Sequence, residues 1–493
     1  MITNFGMLGA GTTEADDVVF IEAPASATPL MWTRAAFDEA CDAVAAGLTA
    51  AGIGVGDRIV VLGPNSVRYL TIVYGAMRAG VVPVPVNVKL PADQTTHIIE
   101  DAKARVVFAD DLPASLAARV DRVVPLEGNG FDDFLRPGGF TAIDPADDLP
   151  ALQLYTSGST GVPKGVVLNH SAKLWATQAY TPPVPGRDVR AVVASPLYHK
   201  NGFLVSAVAL GAGGTVALLA KFDAREYLES IARHRMTFLS GVPTMFVMLL
   251  EQADLLEALD LSSVSTVLIG SAPLTQALLD KVKAAFPNAV VTNNYGTTEV
   301  AAIFGRHPEG KPRPLNSVGV LLPGSEARLV DGPSPDEGVL QVRNPSVMLG
   351  YHNLPEATAA RLHDGWYDTG DVMRRDADGF YYFVGRNDDM FVCGGENVYP
   401  GEVESLLERH PAIRAAAVVS VPDERKGAVP VAFVVPATHA TLTEDEVKRF
   451  ALAGGPAYAH PRQVVFLDDL PLSGTNKVDK QRLTQQATER SAR

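Results

Sequence analysis

Cysteine is nearly missing: Cys41 and Cys393 are the two in a chain of 493 residues. That excludes a disulfide framework and any cysteine-rich zinc or iron–sulfur site. Basic charge is also scarce, with 42 Lys and Arg against 56 Asp and Glu, a formal net charge of −14. A chain of that sign is a poor partner for nucleic acid or an anionic membrane. No basic residue precedes Arg34, so the charged start of a secretory signal is not seen. Long apolar runs are few. The best candidate span, Phe203 to Ala220, is broken by Gly211-Ala212-Gly213-Gly214. It reads as a buried helix, a glycine turn and a strand at Thr215 to Leu219, not as a membrane crossing. A cytoplasmic protein is expected.

What is present is ordinary globular composition, 47% hydrophobic and 20% charged, in enough chain for about three domains' worth of core. Short β-branched runs alternate with helical patterns. Arg58–Leu62, Val81–Val86, Ala104–Ala109, Ala191–Ala194, Thr266–Ile269 and Ala289–Val291 read as strands, and Val67–Ala79 as a helix. Such alternation implies parallel sheets covered by helices. After about residue 312 the strands shorten, as in Gly338–Arg343, and a small β-rich segment is expected. A compact α+β pattern resumes near Met390: helix Gly401–Arg409, strands Ala415–Val419 and Val429–Val435, helix Glu444–Ala453. The fold class is therefore α/β, with a large N-terminal domain (1–387), a β-rich segment inside it, and a small C-terminal domain (388–493). The boundary falls at Arg386-Asn387-Asp388-Asp389.

The most informative stretch is Leu154-Tyr155-Thr156-Ser157-Gly158-Ser159-Thr160-Gly161-Val162-Pro163-Lys164-Gly165. Glycines admit an anion close to backbone N–H groups, hydroxyls add donors, and a lysine adds a point charge. In composition this is a phosphate cradle. It is not a Walker A loop, because Pro163 precedes Lys164 and Gly165 follows it. A flexible linker is the alternative, and it would rarely sit between two apolar runs, Ala151–Leu154 and Val166–Leu168. Glu299, after Thr297-Thr298, offers the oxygen ligand that Mg²⁺ takes alongside substrate phosphates. Asp371 can accept two hydrogen bonds from a vicinal diol. On composition alone Glu299, Asp371, Arg386 and Lys477 are better read as solvated charges.

These stretches come in order with Pro196-Leu197-Tyr198-His199, Gly270-Ser271-Ala272-Pro273-Leu274, Tyr295-Gly296-Thr297-Thr298-Glu299 and Gly365 to Asp371. Gly385 to Asp389, Gly394 to Pro400 and Pro471 to Lys477 follow. The series resembles the acyl-CoA synthetases of the adenylate-forming superfamily, which also holds peptide-synthetase adenylation domains and firefly luciferase. The resemblance implies ATP, Mg²⁺ and coenzyme A as cofactors. It implies that Thr156, Ser157, Gly158, Ser159, Thr160, Gly161 and Lys164 hold phosphates. Ser271, Ala272, Pro273, Asn294, Tyr295, Gly296 and Thr297 would form the nucleotide pocket, with Tyr295 on the adenine. Asp371 would take the ribose hydroxyls, assisted by Arg386. The implied catalytic set is Lys477, Glu299, Thr298 and His199. Lys477 bridges carboxylate and α-phosphate, Thr298 touches the α-phosphate, and Glu299 carries Mg²⁺, with Thr160 as a further metal contact. Asn476 stands before Lys477 where many members have glycine. His199, Lys200, Asn201, Gly270 and Gly296 would line the acyl pocket, Gly394 and Gly395 the CoA channel, and Asp388 would be the hinge of a mobile C-terminal domain.

The implied reaction makes an acyl-adenylate and pyrophosphate, then an acyl-CoA and AMP, from a small carboxylic acid. Amino acids are disfavoured, since no Asp occurs in Leu197–Gly202. The short tail after Lys477 leaves no room for a carrier domain, which favours free CoA over a carrier protein; oxygen, as in luciferase, is the other acceptor. If Lys200 and Asn201 face the pocket, a short hydroxylated or polar acid is expected. If they face away, an aryl or medium-chain fatty acid fits. Both stay open, as does a CoA-phosphate role for Arg462 and a homodimeric state. Cys393 lacks a His or Asn framework and reads as a buried hydrophobe.

Overall fold

The computed structural model describes residues 2–22, 28–157, 162–180, 189–270, 274–314, 316–437, 440–472 and 478–491. Gly158, Ser159, Thr160, Gly161, Ser271, Ala272, Pro273 and Lys477 lie outside the described residues, as does the Ser157 side chain.

Two parallel sheets carry the N-terminal part. The larger runs in the order Val290–Asn294, Thr266–Gly270, Phe238–Gly241, Arg190–Val193, Thr215–Leu218, Val18–Glu22, Leu30–Thr33. All pairs in it are parallel except the last. The smaller is Val82–Pro85, Arg58–Val61, Val106–Phe108, Arg122–Val124, parallel throughout. Strands buried on both faces need continuous β-branched runs, which is what made them readable. One core cluster joins the sheets, from Val61 and Phe108 to Val193 and Val216.

The suspected membrane span resolves into helix Lys200–Gly211 and strand Thr215–Leu218, and no helix among the described residues is long and apolar enough to cross a membrane. Several expected bounds shift by a residue or two, while the strands expected over Ala289–Val291 and Ala415–Val419 run on to Asn294 and Asp423. The strand expected from Ala104 begins at Val106, because Ala104 closes the turn after helix Ala92–Asp101 by bonding Ile99 O. The helix expected at Gly401 begins at Pro400, whose fixed φ suits the first turn.

An antiparallel hairpin, Pro150–Ser157 and Pro163–Asn169, gains a third strand, Gly350–Tyr351. The β-rich segment is an antiparallel sheet of Glu326–Ser334, Glu337–Arg343, Trp366–Arg375, Leu362–His363 and Tyr381–Arg386. From Phe391 on, a separate core forms around Val418, Val431, Phe433 and Leu483, on a sheet flanked by helices Pro400–Leu407, Glu444–Gly454 and Lys480–Ser491.

Candidate active site

The candidate residues gather where the parallel strands Arg190–Val193, Thr266–Gly270 and Val290–Asn294 end, the usual place for a ligand in an open α/β sheet. Gly270 and Asn294 are register partners at the last pair of their strands. A Cβ on Gly270 would lie 2.1 Å from Asn294 O, so only glycine lets the strands stay paired there. The chain then turns through Tyr295-Gly296-Thr297-Thr298-Glu299, all partly buried. Thr297 Oγ1 accepts from Val300 N at 3.1 Å and closes the turn.

Tyr295 donates its hydroxyl to Asp371 Oδ2. Its ring lies 5.8 Å from Phe304 and 6.2 Å from Phe383, centre to centre. Asp371 sits on strand Trp366–Arg375 opposite Arg386. It is only 5% exposed. Its Oδ1 has no hydrogen bond, although Arg386 Nε stands 3.1 Å away out of alignment. Burial pushes the carboxyl up to about 6, against the pull of Arg386. A buried acceptor without a donor is costly in an apo protein.

Lys164 is the cross-strand partner of Thr156, next to the loop that joins the two strands of the hairpin. Its ammonium lies 5.8 Å from the centre of the Tyr351 ring. Tyr351 donates to Glu299 Oε1 at 2.9 Å. Among the described residues no group of three or more His, Cys, Asp or Glu could enclose a metal. A carboxylate held by a hydrogen bond on one oxygen, as in Glu299, suits Mg²⁺, which is commonly held by one or two carboxylates and substrate phosphates.

His199 caps helix Lys200–Gly211, and its ring packs at 4.9 Å on Tyr198. The Lys200 ammonium reaches the Tyr295 turn, since a Cβ on Gly296 would lie 2.5 Å from Lys200 Nζ. The Asn201 carbonyl accepts from Ser240 Oγ at 3.4 Å. Lys200 thus faces Gly296, whereas the Asn201 carbonyl turns to the neighbouring strand.

Asp388 lies between two guanidinium groups, 3.4 Å from Arg361 and 3.4 Å from Arg386. Gly394 and Gly395 are exposed, at φ of 64° and 92°, in the turn between Phe391–Cys393 and Glu396–Val398. Gly394 N donates to Lys426 O at 2.9 Å. Arg462 bonds its own neighbourhood, His460 O at 2.8 Å, and Cys393 is buried. The two parts of the chain touch at Arg414 and Glu251, 3.8 Å apart, and at Glu408, which hydrogen-bonds Thr275.

Sequence reading missed several residues here. Asn65 donates to Ser195 O (3.0 Å) and Leu219 O (3.1 Å) and accepts from Leu197 N (2.8 Å). It fixes the loop that delivers His199. Its position in Gly63-Pro64-Asn65-Ser66 reads as a turn before a helix cap, and nothing local marks the distant partners. Tyr351 and Tyr367 also escaped, because their contacts exist only after the chain folds back.

The model for AMP-binding enzymes matches residues 11–352, and that for the AMP-binding enzyme C-terminal domain matches 402–477. A feruloyl-CoA synthase of Amycolatopsis sp is 36% identical over 463 residues, covering 89% of this chain and 90% of its own. The 4-coumarate–CoA ligase-like 2 of Arabidopsis thaliana is 31% identical over 481 residues, covering 90% and 84%. The crystal structure of ATP-bound MatB from Rhodopseudomonas palustris superposes with a TM-score of 0.89 at 30% identity, covering 99% of both chains.

Proposed function

Since the chain belongs to the AMP-binding enzyme family, we propose that it is an AMP-forming acid–CoA ligase. It joins a small carboxylic acid to ATP as an acyl-adenylate, releases pyrophosphate, and passes the acyl group to coenzyme A, releasing AMP. The observation that carries this reading is the convergence of Lys164, Glu299, Tyr295 and the half-satisfied Asp371 on one cleft.

Each group has a task. Asp371 accepts from the ribose hydroxyls, and the Tyr295 ring forms a wall for the base. Lys164 and the glycine-rich loop hold phosphate oxygens. Glu299 and Thr160 would hold Mg²⁺, which when bound neutralises phosphate charge as pyrophosphate leaves. Lys477 meets the charge that builds at the α-phosphate as the carboxylate attacks. Removing one such positioned group typically costs about 10²–10³ in rate. Adenylate then leaves readily when the CoA thiol attacks the acyl carbon. For that step residues 388–493 rotate about Asp388, taking Lys477 away and bringing Gly394 and Gly395 to the thiol channel. Lids and domains that exchange two catalytic arrangements commonly set turnover. Both cosubstrates are intracellular nucleotides, which supports a cytoplasmic location.

The reach of Lys200 to Gly296 supports an acid with a hydroxyl or another polar group near the acyl end. An aryl acid is the second reading, favoured by the names of the two relatives, a feruloyl-CoA synthase and a 4-coumarate–CoA ligase-like protein. Pyrophosphate release measured over short hydroxy acids, aryl acids and fatty acids separates them. Turnover confined to unsubstituted alkyl chains would defeat both.

A further inference from the structure

The two halves of the proposed phosphate and metal site are distant in sequence, and residues 347–352 stitch them together. On one side Val347 bridges Val300, and Met348 N donates to Glu299 O at 2.8 Å. On the other, Leu349 N donates to Val167 O (2.9 Å) and His352 N to Gly165 O (2.7 Å). Tyr351 pairs with Val166 in between. Its N–H donates to Thr358 Oγ1 at 2.9 Å, which fixes the short strand from behind.

The Tyr351 side chain spans the same gap. Its hydroxyl donates to Glu299 Oε1 at 2.9 Å, and the Lys164 ammonium stands 5.8 Å from its ring centre. Buried Tyr367 hydrogen-bonds to the Tyr351 hydroxyl. A relay therefore runs from Tyr367 through Tyr351 to Glu299.

We propose that Tyr351 is the positioning residue of the metal carboxylate, orienting Glu299 for a divalent cation while its ring steadies the Lys164 ammonium. The Glu299 carboxylate, on a turn, swings about three side-chain torsions. A hydrogen bond on one oxygen removes that freedom and presents the other oxygen to the cation. Groups that hold a metal ligand in this way commonly account for about 10–100-fold in metal affinity. The face of the same ring attracts an ammonium at this distance. One side chain thus keeps metal carboxylate and phosphate lysine at a fixed separation. The inference rests on the reading of Glu299 as the metal carboxylate and Lys164 as a phosphate lysine.

The test is Mn²⁺ binding by the full chain with ATP and no acid, followed by electron paramagnetic resonance. ATP affinity is measured separately in EDTA. Tyr351→Phe keeps the ring and loses the hydroxyl. It is expected to weaken Mn²⁺ retention about tenfold or more and to leave ATP affinity in EDTA unchanged. Tyr351→Leu is expected to weaken both. In a Glu299→Gln background the Tyr351→Phe change should add nothing. Tyr367→Phe, which removes the hydrogen bond behind the Tyr351 hydroxyl, should give a smaller loss in the same direction and serves if Tyr351 variants fold poorly. Wild-type Mn²⁺ binding in Tyr351→Phe, with Glu299→Gln weakened, would overturn the positioning role alone, and so would an undiminished effect in the Glu299→Gln background. Wild-type binding in Glu299→Gln would remove the metal role of Glu299 and the inference with it.

Discussion

Asp371 shows a site residue kept at the expense of the apo fold. Its carboxyl is raised from an ordinary 3.8 to about 6 by burial. Between those values the folded chain keeps a proton that the unfolded chain has released, so apo stability falls as pH rises through that window. A ribose diol needs the ionised form. The KM for ATP should therefore rise as pH falls through about 6. In Asp371→Asn that acid limb should be missing, with KM roughly 10–100-fold higher, the worth of one or two hydrogen bonds to a charge. A KM–pH profile of both proteins checks this, and the same acid limb in the variant would assign the titration elsewhere. Lys173 makes the opposite case, a buried charge with no visible task. It is 1% exposed, its ammonium has no hydrogen-bond partner, and it lies 5.2 Å from the Phe203 ring and 5.8 Å from Phe5. Burial pushes it down from 10.5 to about 8. Here the unfolded chain binds more protons, so stability rises with pH across that window. Lys173→Met should stabilise the fold by about 1–3 kcal/mol at pH 7, with the gain shrinking towards pH 10.5. Denaturant unfolding at both pH values measures it, and a loss at pH 7 would refute the argument. Asp371 could be found in the sequence through its motif. Lys173 could not, since a lysine in a helical pattern reads as solvated until Phe5 and Phe203 close over it.

At the scale of elements, the legible parts were those with local causes. The strands Thr266–Gly270 and Val290–Asn294 announce themselves by β-branched runs, and the candidate phosphate cradle at Thr156 to Lys164 by its glycines and hydroxyls, although the hairpin that carries it does not. Gly350–Tyr351 has two residues and no periodicity, so its place beside Pro163–Asn169 comes from tertiary pairing alone. The same holds for Asn65, whose three partners come from two distant loops. Strand spacing at the cleft yields a prediction of its own. Gly270→Ala pushes a methyl group into Asn294 O and must part the two strands just before Tyr295. A cost of roughly 1–3 kcal/mol in stability is expected from such overpacking, together with a higher KM for ATP. Thermal unfolding and nucleotide titration check both, and unchanged values would mean the strand ends yield freely.

Over the whole molecule, the chain divides its chemistry between two cores joined near Asp388, which sits between Arg361 and Arg386. In the proposed alternation of residues 388–493, Lys477 serves one half-reaction only. Lys477→Ala should lose acid-dependent adenylate formation by about 10²–10³ and keep thioester formation from supplied acyl-adenylate and CoA. Equal loss of both, followed as separate half-reactions, would place Lys477 elsewhere in the mechanism. The bulk charge of −14 has no bearing on nucleotide binding, because a few placed groups do that work. The most direct test of the central claim is mass spectrometry of the products made from ATP and an acid panel, first without CoA and then with it. The account predicts enzyme-bound acyl-AMP and pyrophosphate before CoA is added, and acyl-CoA with AMP after. Formation of ADP and phosphate, or no adenylate with any acid, would contradict it.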